Sequence, residues 1–111
     1  MVYAEIIEND SLKLKDLSNT SFIKIINKSH FSFFNQENSG TKNYYSVAGS
    51  YILKDDNYTE TLNFTTVEAI KKHQFSFKIV VKGDTLIQSG IEKVAAAGMN
   101  RYILEKYIKL N

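Results

Sequence analysis

Two stretches of this chain set groups capable of acid–base or ligand-orienting chemistry at alternate positions. In "NYTETLNF" (57–64), an extended backbone puts Tyr58, Glu60, Leu62 and Phe64 on one side and Thr59, Thr61 and Asn63 on the other. The first set has the character of a buried face, yet it holds a carboxylate. In "RYILEKYIKL" (101–110), Arg101, Ile103, Glu105, Tyr107 and Lys109 share a side opposite Tyr102, Leu104, Lys106, Ile108 and Leu110. Gln88, in "TLIQSG" (85–90), adds an amide. A carboxylate kept from water would hydrogen-bond a ligand or a basic neighbour, and its pKa would rise if it were left unpaired. Arginine meets a carboxylate with two parallel N–H bonds, so Arg101 is the expected partner of Glu60.

Two assignments of the last stretch compete. With its charged side inward, Arg101, Glu105 and Tyr107 join Glu60 and Gln88 in a polar cavity wall, and the apolar side becomes a natural subunit interface. With its apolar side inward, the charges are plain surface. Phe75 and Phe77 would supply apolar wall together with Tyr58, Leu62 and Phe64. A catalytic alternative uses Glu60 as general acid or base, helped by Tyr58 or His30, in an isomerase, cyclase or hydratase. The opposing possibilities are plain: Glu60 near a barrel rim or in a structural ion pair, and the aromatic residues as simple core. His30 and His73 are the only histidines, too few for a metal site of ordinary ligand number. No metal and no cofactor is expected. No nucleophile elbow, P-loop, dinucleotide fingerprint or zinc-protease motif is present.

The elements that must carry these residues read as strands almost throughout. "VYAEII" (2–7), "SFIKIIN" (21–27), "HFSFFN" (30–35), "YYSVAGSYIL" (44–53), 57–64, "QFSFKIVV" (74–81), 85–90 and 101–110 have the β-branched, aromatic or alternating character of half-buried strands. Short turns join them at "ENDS", "KS", "KDDN" and "KGD", and "QENSGTKN" (36–43) makes a polar loop. Gly49 inside a strand predicts a bulge or bend. "TVEAIKKH" (66–73) is the one helical candidate, of a turn or two, and "VAAAGMN" (94–100) is expected to be a loop. About eight sequential strands without βαβ spacing predict an all-β, antiparallel up-and-down barrel in one domain, 1–111, with at most one short helix.

Composition narrows the partners. The 111 residues suffice for a single core. Fourteen basic residues against twelve acidic leave a net charge of only +2, too little to argue for nucleic acid. No segment approaches the roughly 20 apolar residues that span a bilayer, so membrane insertion is not expected. "MVYAEIIEND" lacks the pattern of a signal peptide, and a soluble, cytoplasmic protein is expected unless a signal preceded residue 1. The absence of cysteine excludes disulfides and thiol chemistry.

"GSYILKDDNYTETLNF" followed by "FSFKIVVKGDTLIQSG" resembles the lipocalin-like, calycin-type small barrel domains of many bacteria. The resemblance covers roughly residues 20–90, and the last strand loosely. It implies an antiparallel barrel around a small cavity more than any activity. The Arg-x-x-x-Glu-x-Tyr series of residues 101–107 is weakly similar to the carboxylate clamps of intracellular fatty-acid carriers in the same superfamily. The chain departs from the pattern in having no tryptophan, and so no Gly-x-Trp at its first strand. The closing segment is therefore expected to be short, with a homo-oligomer formed through the last strand. The function expected is non-catalytic binding of a small, largely apolar or acyl ligand against a Glu/Gln/Arg/Tyr wall. The alternatives are the cavity enzyme above and an oligomeric interaction module without ligand.

Overall fold

Alternation of apolar and polar residues gives nine strands, which pair antiparallel into one curled sheet. The structure is a computed structural model and describes residues 1–8, 11–38, 44–95 and 98–110. The strands are β1 (Tyr3–Glu8), β2 (Ser11–Leu14), β3 (Thr20–Ile26), β4 (His30–Glu37), β5 (Tyr45–Lys54), β6 (Asn57–Thr65), β7 (Gln74–Lys82), β8 (Thr85–Val94) and β9 (Met99–Ile108). Their order across the sheet is β2-β1-β9-β8-β7-β6-β5-β4-β3. Each neighbouring pair is antiparallel, so β3 to β9 form a meander and β1 returns to lie beside β9.

The expected all-β, up-and-down architecture is therefore present, as a barrel left open along one line. β2 and β3 are consecutive in the chain but stand at opposite edges of the sheet. Residues 15–19 cross the seam between them. Curling brings the edges together through side chains: the Phe22 ring on β3 lies 5.9 Å from that of Tyr107 on β9. Lys15 sits over Phe22, its ammonium 5.6 Å from the ring centre. The Met1 ammonium donates to the Phe22 carbonyl at 2.9 Å.

The sequence reading missed one strand, β2. Its four residues, "SLKL", are all exposed, so no buried face marks it. The helical candidate at 66–73 is a single 3₁₀ turn, Glu68–Ile70, folded back so that the Leu62 N–H donates to the His73 carbonyl at 2.9 Å. The polar loop begins later than expected, because Gln36 and Glu37 belong to β4; its residues 39–43 lie outside the described residues, as do 9 and 10 of the "ENDS" turn. Val94 closes β8 and Met99 opens β9, and residues 96 and 97 between them are also outside the described set.

Gly49 marks a bulge, as its position inside a strand predicts. Pairing of β5 with β6 shifts between Ala48 and Ser50, where Thr61 opposes Ser50 but Phe64 opposes Ala48. Two residues, Leu62 and Asn63, thus stand opposite Gly49 alone. A side chain there would place its Cβ 1.8 Å from the Thr61 carbonyl oxygen, so only glycine admits this approach. The extra residue reverses the faces of β6 beyond Leu62. Phe64 consequently points outward and is 72% exposed, which corrects its expected place in the wall.

Part of the barrel interior is packed. Phe31, Val47, Tyr58, Leu62, Phe75, Phe77, Val94 and Ile103 form one buried cluster, with Ile6, Phe33, Tyr51, Ile79 and others against it. At about 25 cal/mol per Å² of apolar area, each such side chain contributes roughly 1.5–3 kcal/mol.

Candidate functional site

Against that packing the curled sheet forms a cavity of about 520 Å³. The inward side of β9 carries Met99, Arg101, Ile103, Glu105 and Tyr107, all of which line it. The charged side of the last strand therefore faces in, while Tyr102 and Ile108 face out and are at least a third exposed. Glu60, Leu62, Phe75, Phe77 and Gln88 line the same cavity. Tyr58 is fully buried beside it.

The partner of Glu60 is not Arg101 but Lys24. The Lys24 ammonium reaches from β3 across the barrel, donating to Glu60 Oε2 at 2.5 Å and to Gln88 Oε1 at 2.8 Å. Both side chains of the ion pair are about 95% buried, at 5% and 4% exposure. Four rings surround the ammonium: Tyr58 at 5.0 Å, Phe31 at 5.6 Å, Tyr107 at 5.7 Å and Phe33 at 5.9 Å from ring centre to Nζ. Each negative ring face attracts the cation, an effect that grows as water is removed. The Tyr58 hydroxyl is buried and meets no hydrogen-bond partner among the described residues. Burial, then the nearby Glu60 charge, pushes its pKa well up.

Arg101 instead pairs with Glu92, its register neighbour on β8. Its Nε donates to Glu92 Oε1 at 2.8 Å, and the two side chains are 32% and 19% exposed. The two ion pairs thus mark two depths: a dry floor at Lys24–Glu60–Gln88 and a wetter mouth at Arg101–Glu92. Val67, Ile70 and Met99 also line the cavity, as do Lys13 and Lys15; Lys15 lies over Phe22 and acts on Glu105.

Glu105 belongs to the floor, opposite Gln88 in register. The Tyr107 hydroxyl donates to its Oε1 at 3.0 Å. Burial, then the Glu92 charge, pushes the Glu105 carboxyl above its usual range, against the pull of Lys24, Tyr107 and Lys15. Burial and the Glu105 charge in turn raise the Tyr107 phenol far above its ordinary value. Tyr45, also in the wall, is pushed up to about 12, chiefly by burial and then by Glu105 and Glu92.

His30 is excluded from this chemistry. It opens β4 on the outer side, is exposed, and makes a 2.7 Å hydrogen-bonded contact with the Ser29 hydroxyl. The catalytic alternative thus loses its histidine, and its Glu60 is already held by Lys24. Among the described residues no three acidic or histidine side chains converge as metal ligands, and no helix is long and apolar enough to cross a membrane.

Lys24 is the residue that sequence reasoning missed. In "SFIKIIN" the face of Ile23 and Ile25 looks like the buried one, which turns Lys24 to solvent. The signal that could have found it is Phe22, on the side of Lys24, together with a Glu60 in want of a cation. The chain was compared with family models, curated proteins and solved structures, and none matches.

Proposed function

We propose that this protein binds a small, largely apolar ligand inside a lipocalin-like barrel, without catalysing a reaction on it. One observation carries the proposal: a cavity of about 520 Å³, within the ordinary range of small-molecule sites, walled mainly by Phe22, Phe33, Leu62, Phe75 and Phe77. Its polar groups are held in place by ion pairs and hydrogen bonds to one another, and fixed polar groups in an apolar wall are what orients a ligand in such pockets. A core without function would gain stability by filling this space.

The test is displacement of anilinonaphthalene sulfonate from the purified protein, paired with native mass spectrometry for a co-purifying molecule. Binding is expected, with loss on Ile70→Trp, which plugs the mouth. Absence of any apolar binding by the folded wild-type protein would overturn the proposal.

A second reading, self-association, has its own observation. On the outer face, Tyr102 of β9 lies in register between Ile7 of β1 and Ile91 of β8, and Ile7 and Ile91 are 42% and 62% exposed. Such a contiguous apolar strip is what a subunit contact buries. β9 is hydrogen-bonded on both sides, so this homo-oligomer would form by face packing rather than by adding a strand to β9. Sedimentation of wild type against Ile91→Lys tests it: a dimer that Ile91→Lys dissociates supports it, and a monomeric wild type sinks it.

A further inference from the structure

The two polar layers have different unspent valences. At the floor, the charge of Lys24 is cancelled by Glu60, and two of its three N–H donors are taken by Glu60 and Gln88. Gln88 accepts with Oε1, and its amide nitrogen has no hydrogen-bond partner among the described residues. A second anion here would lose its hydration and face the Glu105 carboxyl. A neutral oxygen fits: it accepts from Lys24 or Gln88, and a hydroxyl also donates to Glu105.

The mouth side is different. Its ion pair is part-exposed, at 32% for Arg101 and 19% for Glu92, so an anion bound beside it keeps part of its hydration. Arg101 spends only Nε on Glu92. Its two terminal nitrogens have no partner among the described residues and form the side of the guanidinium suited to a carboxylate. Between the layers the lining is apolar, with Ile103 between Arg101 and Glu105 on β9. Those two residues are four positions apart, about 13 Å along a strand.

We infer that the cavity takes a two-ended ligand, an apolar chain whose carboxylate is held by Arg101 at the mouth and whose far end carries a neutral hydroxyl or carbonyl held by Lys24 and Gln88 at the floor. The inference rests on the ligand-binding proposal above and adds the ligand's chemistry and direction. It places the anion at the wet end of the barrel and the uncharged group at the dry one.

The experiment is calorimetric titration of the whole protein with three probes of equal chain length: dodecanoate, dodecanol and ω-hydroxydodecanoate. The two-ended probe is expected to bind about tenfold or more tighter than either single-ended one, a difference of about 1.4 kcal/mol. Arg101→Met should remove the advantage over dodecanol. Because Lys24→Met alone leaves Glu60 buried and unpaired, the floor is tested by the double variant Lys24→Met with Glu60→Leu. That variant should remove the advantage over dodecanoate while leaving dodecanoate itself unaffected.

Equal affinity for ω-hydroxydodecanoate and dodecanoate would overturn the two-ended ligand and leave the binding proposal standing. Weaker dodecanoate binding in the floor variant, with none in Arg101→Met, would reverse the direction and overturn the inference. Failure of all three probes and of anilinonaphthalene sulfonate would remove the binding proposal and this inference together.

Discussion

Lys24–Glu60 and Arg101–Glu92 are both cation–carboxylate pairs bridging strands of one barrel, and they differ chiefly in depth. The first is about 95% buried and wrapped in aromatic rings; the second is 32% and 19% exposed at the mouth. Burial raises the cost of breaking a pair far more than the benefit of making one, because a lone charge in the interior keeps its full desolvation penalty. The floor pair therefore fixes where β3 sits against β6 and β8. The mouth pair is open to solvent and free to share its cation.

The sharpest way to break this contrast is to remove one floor partner. Glu60→Ala should lower the unfolding free energy by roughly 3–5 kcal/mol, since it strands the Lys24 ammonium; urea denaturation measures it. The double variant Lys24→Met with Glu60→Leu should recover most of that loss in the same assay, because a buried pair replaced by apolar groups of similar volume is often near neutral. A double variant as unstable as Glu60→Ala would show that the aromatic cage requires its cation.

A third prediction uses pH. Glu105 has its pKa raised in the fold, so the native state holds the proton more tightly than the unfolded chain. Its contribution is fully present below about 4.5, the ordinary value of a glutamate, and is lost as pH rises through the folded pKa. The stability of wild type relative to Glu105→Gln should therefore fall as pH rises from about that value, measured by urea midpoints across the range. A flat difference would place the Glu105 carboxylate in contact with water.

The smallest effect belongs to the mouth. A double-mutant cycle on Arg101 and Glu92 should give a coupling of only about 0.2–1 kcal/mol, the range of solvent-screened pairs. Raising salt to about 1 M, where the screening length is about 3 Å, should shrink that coupling and leave the floor pair nearly unchanged.

Much of this comparison could be read from the chain, and the missing parts have physical causes. Alternation grouped Glu60 with Tyr58 and Leu62, and Phe75 with Phe77, on shared faces of apolar character, and an up-and-down barrel followed from strands joined by short turns. Alternation also gave the two sides of the last strand, but not which was inward. That depends on its register with Gln88 and Glu92 across a connection whose residues 94–100 carry no distinctive turn signal. The expected Arg101–Glu60 pair was wrong for the same reason: partner choice is set by register, and β8 puts Glu92 opposite Arg101. Phe64 was misplaced because a bulge changes parity, and Gly49 announced the bulge without saying on which strand the extra residue would sit. Lys24 escaped notice because a lone lysine among isoleucines is most simply a solvent-facing one. It enters the interior only because β6 and β8 meet it with a carboxylate and an amide.

The seam between β2 and β3 has a further consequence. A fully closed barrel has its girth dictated by strand number and stagger, so its hollow cannot grow without tearing a ladder. Here the circumference is a strip with two free ends, held across the gap by Phe22, Lys15 and the Met1 ammonium rather than by backbone rungs. No backbone ladder therefore fixes how β2 and β3 stand against one another. The girth of this barrel is thereby fixed along one line by side chains and the Met1 ammonium alone, and Phe22 is the side chain whose loss would loosen it most.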